Sequence, residues 1–216
     1  MKHLHWLDHP GDEADFVGKQ VVKTKSGFAV AVPPVYVEKM AKVAGLEGAK
    51  ASWVPGTKEA DRPLIPDANE YVGEASHSLY RTVVGMLLWL SFERPDIQFS
   101  VKRLSQSLQQ PLQGDWLAMR RVVRYLLGTA TATLRYEANP AKAKKKLDLD
   151  IWTDSDWAGC PRTRRSTSGG GVWLQECLLA SWSRCQQSVS TSSAEAEYYS
   201  MCGGAAEGVF VAALAE

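Results

Sequence analysis

The stretch IWTDSDWAGC, residues 151–160, places two acidic residues at the end of an otherwise apolar run. Apolar and polar residues alternate with period two over residues 147–152, a pattern that predicts a β-strand. We expect Asp154 to lie at the end of this strand, with Asp156 following it and a turn at Gly159. Two readings of the acidic pair stay open: the carboxylates solvate a strand end, or they hold a metal ion.

The composition excludes some classes of protein. The chain has 216 residues and is 45% hydrophobic, so it can bury a substantial core. Its 25 basic and 24 acidic residues give a formal net charge of +1. This balance excludes a strongly basic nucleic-acid-binding protein but allows a local basic patch. The four cysteines are far apart and form no CxxC pair, so we expect neither a disulfide framework nor a zinc site.

The sequence also bears on location. The N-terminal stretch is charged where a signal peptide would be apolar. The longest apolar stretch, residues 83–92, is too short to cross a bilayer. We therefore expect an intracellular protein, cytoplasmic or nuclear, with no membrane partner.

Residues 15–140 predict a hairpin followed by helices. Two β-branched runs flank a turn signal at Ser26-Gly27, which predicts a β-hairpin over residues 15–32. A helix after Pro34 should end at Gly45. Further helices are predicted over residues 77–92, 95–109 and 114–129. The basic stretch at 139–146 is expected to be a linker, so we predict domains at 1–140 and 147–216.

After the linker the pattern predicts three strands and a helix. Residues 160–170 are expected to form a turn and loop, and residues 171–183 two strands that join near Gln175. A helix should follow from Ser192, an N-cap whose capping box is completed by Glu195. The pair Gly203-Gly204 either weakens this helix or allows close packing.

The predicted elements place a second carboxylate near the strand. Glu197 falls in the first turns of the last helix and could converge with Asp154 on a divalent cation, because hard cations prefer oxygen ligands. The alternative is that Glu197 merely favours the positive end of the helix.

Four sequence blocks carry a resemblance to a known family. They are WTDSDWAG (152–159), RRSTSGG (164–170), SWSRCQQ (181–187) and STSSAEAEYYS (190–200). Their order and spacing resemble the ribonuclease H domain of Ty1/copia-type retrotransposon Pol polyproteins. Upstream, YRTVVGMLLWLSFERPDIQFSV (80–101) and DWLAMRRVVRYLLGT (115–129) are similar to stretches that precede that domain in the family. The resemblance covers residues 15 to about 214.

This resemblance implies a fold, an activity and a set of residues. The fold would be α/β (α+β): the end of a reverse transcriptase palm with thumb or connection helices, then an incomplete ribonuclease H-like fold of three strands and a helix. Asp154 and Glu197 would be catalytic and would bind Mg²⁺ or Mn²⁺, with Asp156 as a further metal ligand. The substrate would be an RNA–DNA hybrid, and the rest of the Pol polyprotein would be a partner. The candidate nucleic-acid-binding residues are Arg164, Arg165, Ser166, Thr167, Ser168, Arg120, Arg121 and Arg124.

The residues themselves leave a plainer alternative for each basic group. Residues 164–168 could form an ordinary solvated turn, and Arg120, Arg121 and Arg124 could form a solvated helix face.

The sequence departs from the family pattern in two places. The paired aspartates of the polymerase should precede residue 15, and no such pair is found there. The resemblance also implies further ribonuclease H carboxylates after the last helix. We therefore expect this chain alone to bind Mg²⁺ weakly and to be inactive or nearly so. The alternatives are a non-catalytic module that binds RNA–DNA hybrid or other nucleic acid, and a relic that does not fold stably.

Overall fold

The computed structural model describes residues 11–56, 70–137, 148–160 and 162–215. Helices and antiparallel strands are both present, as the α+β prediction requires. The chain forms two compact units. The first contains the described residues up to Lys23 together with Ala29–Leu134, and the second contains Thr24–Phe28 and the described residues from Arg135 onward. The predicted linker at 139–146 lies outside the described residues.

The first unit is built on helices that the apolar spacing predicts to within a few residues. They are α1 Pro34–Val43, α2 Glu74–Leu90, α3 Gln98–Ser105 and α4 Gln113–Gly128. Each helix turns an apolar face inward, and these faces form one core. Its largest fully buried side chains include Met40, Tyr80, Leu87, Leu90, Ile97, Met119 and Leu126.

Two helix ends follow from backbone chemistry. Gly45 has a φ of +61° just after α1, the left-handed conformation that commonly ends a helix. The helix predicted over 95–109 is shorter in the structure. It starts as a single 3₁₀ turn, Pro95–Ile97, continues as α3 and ends at Ser105.

The segment predicted as one hairpin contains three strands joined by two turns. Strands β1 Glu13–Phe16 and β2 Lys19–Lys23 pair antiparallel around Val17 and Gly18. These two residues have φ of 52° and 76°, as a tight two-residue hairpin turn requires. A β-branched residue rarely adopts positive φ, so the sequence did not suggest a turn at Val17. Strand β3, Gly27–Ala31, follows the turn that the sequence did predict.

A buried arginine ties the end of α4 to the turn after α2. The Arg94 guanidinium donates to both carboxylate oxygens of Asp96, at 2.9 and 2.7 Å, and to the carbonyl and hydroxyl of Thr129. The Tyr125 hydroxyl donates to the same Asp96 carboxylate at 2.7 Å. Burial alone would raise the pKa of Asp96, but the hydrogen bonds from Arg94 and Tyr125 and the positive charge of Arg94 outweigh it, so the pKa is lowered.

The second unit contains the three strands and the helix that the sequence predicts. Strands β5 Leu149–Asp156, β6 Thr167–Leu174 and β7 Cys177–Cys185 form an antiparallel sheet in that order, and β4 is the short strand Leu134–Glu137. The β6–β7 turn falls at Gln175 and Glu176, which have positive φ. Helix α5 spans Ser193–Ala215.

Two predicted strand boundaries are wrong, and both affect the candidate site. Strand β5 continues through Asp154 to Asp156, so Asp154 lies inside the strand rather than at its end. Strand β6 begins at Thr167, within the stretch predicted as loop. The register explains both extensions, because Asp154 pairs with Gly169 and Asp156 pairs with Thr167.

Helix α5 packs on the sheet through small side chains. Its buried positions include Ala196, Ser200, Gly204 and Gly208, which repeat every four residues. A methyl group added at Gly204 would overlap the Thr153 side chain, and one at Gly208 would overlap Ile151. The close packing proposed for the glycine pair is therefore confirmed at Gly204. Nothing lies within 4 Å of a Cβ built at Gly203.

Two further expectations can be compared with the structure. All four cysteines are free, so none forms a disulfide. In the part of the chain that the structure describes, no helix combines the length and apolar character needed to span a bilayer.

Candidate functional site

Strand alternation determines where the Asp154 side chain lies. Ile151 and Thr153 contact the glycines of α5, so these side chains face the helix. Successive side chains of a strand point to opposite faces, which puts Asp154 and Asp156 on the other face of the sheet. Both residues are exposed. Asp154 stands opposite Gly169, so no partner side chain covers it from β6.

The first turns of α5 lie against the backbone next to Asp154. Glu197 Oε1 accepts a hydrogen bond from the Ser155 N–H at 3.3 Å. One turn later, Ser200 Oγ donates to the Asp154 carbonyl at 2.8 Å. The structure therefore brings Glu197, which is half-buried, to the peptide that joins Asp154 and Ser155.

The cap of α5 fixes where this helix begins. Ser192 Oγ accepts the Glu195 N–H at 3.2 Å, which confirms the predicted N-cap. The Glu195 carboxylate returns to the N–H and hydroxyl of Thr191, both at 2.7 Å, rather than to Ser192. These hydrogen bonds lower the pKa of Glu195. Glu195 therefore has a structural role, as its place in the predicted capping box suggests.

Asp156 is engaged within the β5–β6 hairpin. Its carboxylate accepts a hydrogen bond from the backbone N–H of Thr167. It also packs directly over Gly159, where any Cβ would overlap it. These contacts give Asp156 a role in closing the hairpin. Its predicted role as a metal ligand stays a prediction.

The donor atoms fit Mg²⁺ by type, but the described residues do not form a full cluster. Carboxylate oxygens such as those of Asp154 and Glu197 are the ligands that Mg²⁺ prefers. In residues 11–56, 70–137, 148–160 and 162–215, no group of three or more His, Cys, Asp or Glu side chains is placed to hold a metal ion. The structure thus brings Glu197 to the backbone beside Asp154, while the Asp154 side chain lies on the face of the sheet away from α5, so it does not show the two carboxylates side by side.

The hydroxyl residues of the RRSTSGG block are used within the fold. Ser166 is fully buried, and its Oγ accepts the Ala158 N–H at 3.0 Å. Thr167 is also buried. Ser168 Oγ accepts a hydrogen bond from Gln186 at 2.9 Å. These contacts indicate a structural use for the three hydroxyl residues predicted to bind nucleic acid.

The two arginines of the same block lie on an exposed turn. Arg164 N–H donates to the Cys160 carbonyl at 2.8 Å, and the Cys160 N–H donates to the Arg165 carbonyl at 3.1 Å. Arg164 has a φ of 56°, which turns the chain sharply at this point. The side chains of Arg164 and Arg165 are exposed, so they remain available to an anionic partner.

The arginines of α4 include two that bind the protein itself. Arg120 Nη1 donates to the Ala44 carbonyl at 3.0 Å, and Arg124 Nε donates to the Lys50 carbonyl at 2.6 Å. These bonds hold the segment after α1 against α4. Neither of the two arginines therefore lies on a purely solvated face. Arg121 is half-buried on the same helix.

Gln186 is a central residue that the sequence reasoning missed. Its Nε2 donates to Ser168 Oγ at 2.9 Å and to the Ala196 carbonyl at 2.8 Å, and its Oε1 accepts from Ser190 Oγ at 3.0 Å. Its own N–H donates to the Ser166 carbonyl. One buried amide thus joins β6, the loop before α5 and α5 itself. Its place in the SWSRCQQ block was the available signal.

Comparison with known proteins gives relatives but no structural match. The chain is 35% identical over 196 residues to the uncharacterized mitochondrial protein AtMg00810 of Arabidopsis thaliana, covering 89% of this chain and 75% of that protein. It is 37% identical over 143 residues to the retrovirus-related Pol polyprotein from transposon RE2 of the same plant, covering 66% of this chain and 9% of the polyprotein. The corresponding Pol polyprotein from transposon RE1 is 36% identical over 135 residues, which are 62% of this chain and 9% of that protein.

The chain belongs to the Ty1/copia-type retrotransposon Pol family. The family resemblance of the sequence blocks is thereby confirmed. The chain corresponds to a fragment of a Pol polyprotein, since it spans about a tenth of the length of the RE1 and RE2 polyproteins. No family model matches the chain. No solved structure matches it either.

Proposed function

We propose that this Pol fragment carries the junction between the end of a reverse transcriptase and the first part of a ribonuclease H domain. In this proposal the helical first unit is the thumb or connection region, and β5–β7 with α5 begin the ribonuclease H fold. The observation that carries the proposal is the place of Glu197. Its carboxylate lies at the peptide that joins Asp154 to Ser155. Asp154 and Glu197 are the two positions that the family motifs mark as catalytic.

The proposed activity is hydrolysis of the RNA strand of an RNA–DNA hybrid. Asp154 and Glu197 would hold a divalent cation, Mg²⁺ or Mn²⁺, at the outer edge of β5, where the Glu197 carboxylate reaches the Ser155 N–H. When bound, the ion would supply an activated water and stabilise the leaving oxygen. The role of Asp154 and Glu197 is to provide the oxygen atoms that bind this ion. Ser200 fixes the Asp154 backbone, while the sheet leaves the Asp154 side chain open to a substrate.

We expect a polypeptide of these 216 residues to cleave hybrid very slowly or not at all. Two carboxylates bind Mg²⁺ more loosely than a complete set, because fewer ligands fix its octahedral geometry. The described residues contain no group of three such ligands.

The test is cleavage of an end-labelled RNA–DNA hybrid with Mg²⁺ and with Mn²⁺. The chain is compared with its Asp154→Asn and Glu197→Gln variants, and Asp150→Asn serves as a control for loss of an exposed charge from the same strand. Slow cleavage that both site variants abolish and the control retains would support the assignment. Cleavage that survives both site variants would refute it, and so would cleavage that the control abolishes equally.

A second candidate is a non-catalytic module that binds RNA–DNA hybrid or other nucleic acid. The absence of a three-ligand group among the described residues favours it. Binding of the RNA–DNA hybrid without detectable cleavage, with Mg²⁺ or Mn²⁺ in excess, would support this candidate.

A further inference from the structure

The β5–β6 hairpin separates its charges along its length. Asp150, Asp154 and Asp156 are exposed along β5, whereas Arg162, Arg164 and Arg165 are exposed at the tip. We call residues Arg162–Arg165 the arginine turn. Such a concentration of positive charge would draw a polyanion to the tip.

The arginine turn is held in one conformation by its own backbone. Cys160 and Arg164 are joined by one hydrogen bond, and Cys160 and Arg165 by another. The Arg165 N–H also donates to the Thr163 hydroxyl at 3.4 Å. At the base of the turn, Asp156 accepts the Thr167 N–H. A pre-formed turn loses less conformational freedom on binding than a flexible loop would.

Two guanidinium groups of this turn are free of acidic partners. Within the described part of the chain, no ion pair or hydrogen bond involves the guanidinium group of Arg164 or of Arg165. Elsewhere, Arg135 pairs with Glu137 and Arg184 pairs with Glu207. A guanidinium matches the geometry of a phosphate with two parallel N–H donors.

The geometry of the hairpin places the turn within reach of the same duplex as Asp154. Asp154 is two residues from the Asp156–Thr167 pair, and Arg165 is two residues beyond it. At about 3.3 Å per residue the two positions are no more than about 13 Å apart along the hairpin. That length corresponds to roughly four base-pair steps.

We infer that the arginine turn binds backbone phosphates of the same nucleic acid whose phosphodiester bond lies at Asp154. Arg164 and Arg165 each neutralise one phosphate. This inference rests on the proposed function and adds a positioning element to it. Because the turn contacts phosphates and not bases, it contributes equally to the affinity for nucleic acids of different sequence. The same holds for double-stranded DNA and for RNA–DNA hybrid.

The experiment measures binding of a fluorescent RNA–DNA hybrid at several salt concentrations, without divalent cation. The variants are Arg164→Gln, Arg165→Gln, the double variant and Arg165→Lys. Arg135→Gln is the matched control, since it removes one exposed positive charge from the same compact unit. Circular dichroism confirms that each variant is folded.

We expect each single glutamine variant to reduce the slope of log K against log salt by about 0.9, and the double variant by about twice that amount. Arg165→Lys should retain most of the slope, because the charge remains. Arg135→Gln should change it little. Slopes that fall no further in the turn variants than in Arg135→Gln would overturn the inference, as would failure of the wild-type chain to bind at low salt.

Binding and cleavage separate this inference from the proposed function. Loss of the salt slope in the turn variants, in a chain that binds hybrid without cleaving it, would support the inference and favour the non-catalytic candidate. Asp154-dependent cleavage with an unchanged slope in the turn variants would do the reverse.

Discussion

Asp96 is the residue at which the structure predicts a dependence of stability on pH. Its pKa is lowered in the folded chain, although burial opposes the shift, because Arg94 and Tyr125 hydrogen-bond to the carboxylate. A lowered folded-state pKa favours the folded state at pH values above the unfolded pKa of about 3.9. This contribution is lost as the pH falls through the lowered folded-state value.

We predict that Asp96→Asn destabilises the chain by about 1–3 kcal/mol at pH 7, because the buried Arg94 loses its charged partner. The loss should shrink as the pH approaches 3, because below about 3.9 the unfolded chain takes up the proton and the stabilisation of the wild type falls. Urea unfolding at both pH values measures the difference, and Glu47→Gln, an exposed position in the same unit, is the control. An equal loss at pH 7 and pH 3 would contradict the account.

Helix α5 and strand β5 form the element pair on which the site depends. Gly204 has no room for a methyl group, because Thr153 occupies that space, while its neighbour Gly203 faces open space. These two adjacent glycines allow a matched comparison within one helix.

We predict that Gly204→Ala destabilises the chain by about 1–3 kcal/mol, the usual effect of overpacking. Gly203→Ala should instead stabilise it by about 0.5–1 kcal/mol, because alanine favours the helix and meets no neighbour. Thermal unfolding of both variants provides the measurement. Two variants of equal stability would show that α5 does not pack closely on β5.

Element-level prediction succeeded where a single period decided the structure. The helices of the first unit and strand β5 were predicted because their apolar residues repeat at 3.6 or at 2. Strands β6 and β7 were predicted as two strands joined by a tight turn near Gln175. It failed where a residue acts over a long distance in the chain. Arg94 contacts Thr129, and Gln186 joins Ser168 to Ala196, and no local pattern contains either contact. The turn at Val17 was missed for a different reason, since it uses a residue that seldom adopts positive φ.

The candidate site was predictable in part. The family motifs led to Asp154 and Glu197, and the structure places Glu197 beside the Asp154 backbone. The sequence could not show that Ser166 is buried, because burial depends on the register between β5 and β6. For the same reason, the availability of Arg164 and Arg165 emerged only from the structure.

At the scale of the whole chain, the two compact units differ in how much they bury. The first unit has one continuous apolar core. Among the described residues of the second unit, the buried apolar side chains are mostly small: Ala158, Cys160, Val172, Trp182 and Ala196. Apolar burial is the main favourable term in folding, so we expect the first unit to be the more stable.

We predict that hydrogen exchange is slowest in α2 and α4 and faster in β5 and α5, because protection follows local stability. Exchange measured by mass spectrometry, resolved by peptide, tests this order. A cooperative thermal transition in the same sample would exclude the alternative that the chain is an unfolded relic. Uniformly fast exchange over both units would support that alternative.

The four-residue repeat of small side chains on α5 has one more consequence. A slide of the helix by four residues, about 6 Å, would set Ser200 against Thr153 in one direction and Ala212 against Ile151 in the other. Neither place admits even a methyl group, so packing opposes both slides and fixes which residues of α5 meet β5. Two hydrogen bonds hold the same register, one from Ser200 to the Asp154 carbonyl and one from Gln186 to the Ala196 carbonyl. A chain that lost this register would keep every helix and strand and still carry Glu197 about one helical turn away from Asp154.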